Sequence, residues 1–160
     1  MTRRLAEWTD TAPIKASATR EMTASPQEVW AVLCDHAGWT EWFPRLQAAR
    51  PTGGEGLGST RTVRVANADV HEEFIVWDEP TSWGFTVVAA DGPLGRAADS
   101  LNERVDIADL GNGRVRVTYL MAFQPKPWSA PIVKLVARGL SKNLESALAG
   151  LEDEVVRRRG

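Results

Sequence analysis

The sequence predicts an α+β fold in which a curved antiparallel sheet of about six or seven strands wraps one long C-terminal helix. Three observations carry this reading. Between Ser59 and Gln124 the hydrophobicity alternates with a period of two, in segments separated by short turn-rich connections. From Pro131 onward apolar residues recur at spacings of three and four. Between the first strand-like segment and this meander lies a compact helix-start signature, Ser25-Pro26-Gln27-Glu28.

Taken in order, residues 1–12 hold no periodic pattern and are expected to be loosely ordered. Residues 14–22 alternate weakly and read as a strand. Ser25 can then cap a helix, Pro26 fits its first position, and Glu28 closes a capping box, with Val29, Trp30 and Leu33 as the buried face. A second short helix is expected over 38–43, ended by Pro44. The stretch 51–58, PTGGEGLG, reads as a loop. Strands follow at 60–66, 70–77, 82–90, 99–108 and 114–124, and their tight connections imply antiparallel neighbours. Ile132, Val136, Leu140, Leu144, Leu148, Leu151 and Val155 then form one stripe. The helix carrying it would run for about 28 residues, roughly 42 Å. Such a stripe needs cover, and the open face of the sheet is the large partner available.

Composition narrows the function classes. The chain has 160 residues, no internal repeat and no linker, so it reads as one domain, 1–160. A net charge of −2 argues against nucleic acid as the main partner. No apolar run reaches the length of a membrane span, so stable membrane insertion is not expected. The first ten residues carry Arg3 and Arg4 without an apolar core, unlike a secretory signal. Cys34 is the one cysteine, which suits a reducing interior, and a cytoplasmic location is expected. Seven tryptophans against four phenylalanines and one tyrosine supply rings for a core or for the wall of a pocket.

Strand phase predicts which side chains point inward. Trp83, Phe85, Val87 and Ala89 share a face, as do Leu101, Glu103, Val105 and Ile107. Tyr119 is in phase with Met121 and Phe123. The segment 70–77 admits both phases. Either Ile75 and Trp77 point in together with His71 and Glu73, or Phe74 and Val76 do together with Glu72. The first is preferred here, because Trp77 has the larger apolar surface to bury. Glu103 is then a carboxylate on an apolar face, and it must reach water at a pocket mouth or find a partner such as His71.

Several motifs lead nowhere. The glycine run 53–58 lacks the Gly-Lys-Ser/Thr ending of a phosphate loop and precedes a strand. His36, His71 and Cys34 have no metal-ligand spacing, so no metal and no cofactor are expected. Cys34 lacks the surroundings of a nucleophile and reads as a small core residue. The Arg157-Arg158-Arg159 run suits a helix C-terminus.

Ala24-Ser25-Pro26-Gln27-Glu28-Val29-Trp30, followed by Trp39-Thr40-Glu41-Trp42-Phe43-Pro44, resembles the opening of the START-like (SRPBCC) superfamily, closest to its polyketide cyclase/dehydrase and lipid-transport branch. The Trp77-Asp78-Glu79-Pro80 turn is similar to a hairpin of that family, and the 53–58 loop to its glycine loop. The resemblance covers nearly the whole chain and implies the helix-grip fold, with a cavity between sheet and C-terminal helix that takes lipids, polyketides or similar molecules. It supplies no catalytic motif that could be carried over.

Three functions are therefore weighed. The first is binding of a hydrophobic small molecule, with Trp42 and Phe43 near the entrance, Trp77, Trp83, Phe85, Tyr119, Met121 and Phe123 as apolar lining, and His71, Glu73 and Glu103 as polar anchors. The 53–58 loop would gate the mouth, opposite a mobile segment 91–97. The second is a cyclase-type enzyme in the same cavity, with His71 as base, Glu103 or Glu73 orienting it, and Tyr119 donating to an enolate oxygen. The third is a module gripping a protein partner through Trp8, Trp128 and the basic helix end.

Overall fold

In the computed structural model, which describes residues 1–160, the chain runs α1 (Trp8–Thr11), β1 (Ile14–Thr23), α2 (Pro26–Cys34), α3 (Trp39–Trp42), β2 (Leu46–Gly53), β3 (Thr60–Val65), β4 (Ala68–Asp78), β5 (Ser82–Ala90), α4 (Gly92–Ala97), β6 (Ala98–Gly111), β7 (Arg114–Pro125), a 3-10 turn (Pro127–Ser129) and α5 (Ala130–Arg157). The strands form one antiparallel sheet in the order β1-β7-β6-β5-β4-β3-β2. Consecutive hairpins build β2 to β7, and β1 closes onto β7. The helices α2 and α3 carry the chain from one edge of the sheet to the other.

The capping box at α2 forms as its residues dictate. Ser25 Oγ accepts from the Glu28 amide, and the Glu28 carboxylate accepts from the Ser25 amide at 2.7 Å. Val29, Trp30, Val32 and Leu33 are buried. Two glycines allow close approaches. A Cβ on Gly150 of α5 would lie 2.4 Å from the Trp42 carbonyl oxygen, and one on Gly84 of β5 would lie 2.7 Å from the Glu103 carbonyl oxygen. The first lets α5 sit down on α3; the second lets β5 and β6 press together where the sheet curls. No helix is long and apolar enough to cross a membrane.

Four expectations are corrected. An extra strand, β2, lies within the stretch 46–53. Only Leu46 and Ala49 of it are fully buried, and register shifts interrupt it near Leu46 and Pro51, so no alternation marked it. As an edge strand it tolerates Pro51. The segment 91–97 contains the helical turn α4, opened by Gly92 and Pro93. Residues 1–12 are pinned to the outer face of the sheet. The Thr2 amide donates to the Asp99 carbonyl at 2.7 Å, the Arg4 amide to Thr86 Oγ1 at 3.2 Å, and Asn102 Nδ2 to the Leu5 carbonyl at 3.1 Å. This arm covers the buried polar side chains Thr86, Ser100 and Asn102.

The fourth concerns β4. Val70, Glu72 and Phe74 face the interior, whereas His71 is exposed. Trp77 nevertheless packs edge-on against Phe74 at 5.1 Å and Trp30 at 5.6 Å. Both phases coexist because the register with β5 shifts between Phe74 and Val76, where Ile75 is an extra residue on β4; the other shift, between His71 and Glu72, places its extra residue, Val88, on β5. The extra residue at Ile75 turns the β4 side chains that follow it over, which brings Trp77 to the face of Phe74.

Candidate functional site

Between the sheet and the N-terminal half of α5 lies a cavity of about 450 Å³. Of its 28 lining residues 21 are hydrophobic, which makes it suited to an apolar guest. Val63, Val70, Phe85, Val87, Leu101, Met121 and Phe123 come from the inward face of the strands. Ile132, Val133, Val136, Leu140 and Leu144 come from α5, Leu94 and Ala97 from α4, and Phe43 to Leu46 from the segment after α3. The alternation of β6 and β7 and the three-four spacing of α5 are what direct these side chains to one space.

Six polar side chains interrupt the lining: Arg45 and Asn143, exposed at the rim, and Arg61, Glu72, Glu103 and Tyr119, all buried. Arg61 donates through Nε to Glu72 Oε2 at 2.7 Å, and its Nη2 lies 2.6 Å from the same oxygen. Its guanidinium also lies over the Trp39 ring, 4.3 Å from the centroid, with Trp83 and Phe85 each at 5.3 Å. Nη1 meets His36 Nδ1 at 3.4 Å. Burial first, and then the Arg61 charge, push His36 down to about 4, so its ring is neutral and accepts. On the neighbouring strands Tyr119 Oη donates to Glu103 Oε2 at 2.5 Å.

The charge state follows from one cation facing two carboxyls. Burial pushes Glu72 upward, but the guanidinium bound directly to it pulls the other way. Glu103 has only a phenol beside it. Burial, reinforced by the nearby Glu72 carboxylate, pushes it up to about 8. Burial and Glu103 likewise push Tyr119 well above the ordinary phenol value. At neutral pH the group is an Arg–Glu ion pair beside a protonated acid and a phenol, with no net charge.

Of the residues that alternation assigned to a site, Phe43, Phe85, Glu103, Tyr119, Met121 and Phe123 line the cavity. Five do not. His71 is exposed, and its Nδ1 meets Thr62 Oγ1 at 3.0 Å. Glu73 also leaves the interior and pairs with Arg3. Trp77 fills the corner between Phe74 and Trp30. Trp83 stacks on Trp39 at 5.1 Å, behind the wall. Trp42 is buried against Trp39, with ring centroids 4.5 Å apart. No residue of the 53–58 loop lines the cavity; the loop is bonded to the backbone of Phe74 through Gly58. The residues missed were Arg61 and Glu72. Their signal was an Arg and a Glu on consecutive strands joined by the short turn at 66–67, which pairs Arg61 directly with Glu72.

A family model described as polyketide cyclase / dehydrase and lipid transport matches residues 13–156. An uncharacterized protein of Mycobacterium tuberculosis is 32% identical over 81 residues, 49% of this chain and 48% of that protein. The chain thus spans about half the length of the curated relatives it matches. A START superfamily protein from Mycobacterium smegmatis superposes with a TM-score of 0.72 at 17% identity, covering 90% of this chain and 98% of that one. The Zhui aromatase/cyclase from Streptomyces sp. R1128 superposes with a TM-score of 0.75 at 15% identity, covering 91% and 95%. Identities this low establish a shared fold alone.

Proposed function

The chain belongs to the polyketide cyclase / dehydrase and lipid transport family, and from that premise we propose that it binds a hydrophobic small molecule bearing a neutral oxygen, a carbonyl or a hydroxyl. One observation carries the reading. Inside a rim that carries the exposed Arg45 and Asn143, the cavity of about 450 Å³ is apolar except for a buried polar cluster without net charge, in which Glu103 is a protonated acid bonded to Tyr119. An apolar body would bury against the walls, and its oxygen would accept from Glu103. Deep in the cavity a fatty-acid anion fits poorly, because a second carboxylate beside Glu72 and Glu103 would be desolvated out of reach of Arg45, the unpaired cation, which stands exposed on the rim. The lone thiol Cys34, pushed up to about 12 by burial, is compatible with the reducing cytoplasm as its compartment.

The test is extraction of the purified protein with organic solvent and mass spectrometry of the extract, followed by titration of a neutral apolar dye such as Nile red. Met121→Trp fills the cavity and should abolish dye binding while the fold persists. Unchanged dye binding in that variant would remove the cavity from the reading.

The same acid favours a second reading, a cyclase-type enzyme. A protonated Glu103, held by Tyr119, can donate a hydrogen bond to a carbonyl oxygen and stabilise negative charge that develops on it. His71, exposed on the outer face, has no part in it. Turnover of the extracted molecule by the wild type, lost in Glu103→Gln and Tyr119→Phe, would favour the enzyme; binding without turnover favours a carrier or sensor.

A further inference from the structure

The 3-10 turn and the first turns of α5 leave an apolar strip in water. Trp128 is 63% exposed, Ile132 56%, Leu135 67% and Val136 53%. Ile132 and Val136 also line the cavity, so the strip and the cavity mouth are one surface. Contiguous exposed apolar area of this kind marks a surface that meets something.

The charge around the strip is one-sided. From Leu110 to Leu144 the sequence contains no Asp or Glu. Arg114 and Arg116 in that stretch pair with Glu21, but Lys126, Lys134, Arg138 and Lys142 have no carboxylate partner. Nor do Arg45, on the cavity rim, and Arg96, exposed on α4. The whole chain is slightly acidic, at −2, so these free cations are a local concentration on the segment that carries the strip and on the elements beside it.

We propose that this face docks the protein on an anionic lipid bilayer. Trp128, Ile132, Leu135 and Val136 enter the boundary between headgroups and acyl chains, and Lys134, Arg138 and Lys142 meet the lipid phosphates and carboxylates. Charge decides against the other occupant such a strip suggests. A second copy paired about a two-fold axis would set the same unpaired cations against each other. Nucleic acid would satisfy the cations and leave the apolar strip in water. Docking holds whatever the cavity carries; that the mouth then opens onto the bilayer, so that an apolar guest passes without crossing water, rests on the ligand-binding reading above.

Co-sedimentation tests the docking with no ligand added. Vesicles of phosphatidylcholine alone are compared with vesicles of equal parts phosphatidylcholine and phosphatidylserine, at low and high salt. Binding is expected to the anionic vesicles only and to fall with salt. It should weaken by about tenfold or more in Lys134→Glu/Arg138→Glu, since each cation near such a surface counts for roughly fivefold. Leu135→Ser should also weaken it. Arg114→Glu, at the far end of β7, should bind as the wild type does. All these side chains are exposed, and circular dichroism should show an unchanged fold. The proposal is overturned if the wild type ignores anionic vesicles at low salt, if both vesicle types bind it equally, or if the face variants bind like the wild type. A dimer seen by light scattering and dissolved by Leu135→Ser would instead assign the strip to a second copy.

Discussion

Glu103 occupies an inward position of β6, and its neighbours decide its chemistry. Its carboxyl, pushed up to about 8 by burial and by Glu72, lies far above the ~4.3 of an unfolded glutamate. The folded state therefore holds this proton more tightly than the unfolded chain does. That contribution to stability is complete below about pH 4.3 and is lost progressively as pH rises through 8. Glu103→Gln keeps a neutral donor and acceptor without a titration. Denaturant unfolding measured across this window should show the wild type losing stability with rising pH relative to the variant. Parallel curves would show that Glu103 is not the group responsible. The sequence made the inward placement of Glu103 legible through its alternation with Leu101 and Val105. It did not make the partner legible. Tyr119 is 16 residues away along the chain and becomes a neighbour only through the β6–β7 pairing.

Among the elements, α5 divides into two halves that share one apolar stripe. Leu144, Leu148, Leu151 and Val155 are buried against the sheet and α2–α3, where Gly150 admits the Trp42 carbonyl. Ile132 and Val136 continue the same periodicity but remain half in water at the mouth. Leu144→Ala should therefore cost about 2–5 kcal/mol in unfolding experiments, and Ile132→Ala should stay within about 0.5 kcal/mol. Equal losses at both positions would mean that the helix packs along its full length. Periodicity reported which side chains share a face of α5. It carried no information on how far the covering surface extends. β4 shows the same limit more sharply. Strict alternation cannot turn both Phe74 and Trp77 inward, and the register shift at Ile75 that does so depends on pairing with β5.

For the molecule as a whole, a guest that binds only the folded state stabilises it by mass action, by about 2.7 kcal/mol at a hundredfold excess over Kd. Saturation with the extracted ligand should raise the melting temperature of the wild type and leave that of Met121→Trp unmoved. Hydrogen exchange should show the added protection concentrated in α4 and the first half of α5, the two elements that frame the mouth. Protection confined to β1 and β7 would place the guest elsewhere.

Local patterns in the chain were enough to determine the capping box at α2, six of the seven strands, the long final helix and the inward face of β6 and β7. Each of these is written within a few residues, as a cap, a turn or a period, and so needs no distant partner to be read. Other features were decided by tertiary structure alone. The bulges along the β4–β5 pairing, the edge strand β2, the Arg61–Glu72 pair and the docking of residues 1–12 on the outer face all arise from contacts across the sheet. The sheet curls as it wraps α5, and strands that curl take up the mismatch by shifting register. Which of two neighbouring carboxyls stays charged then depends on which one the single buried guanidinium reaches.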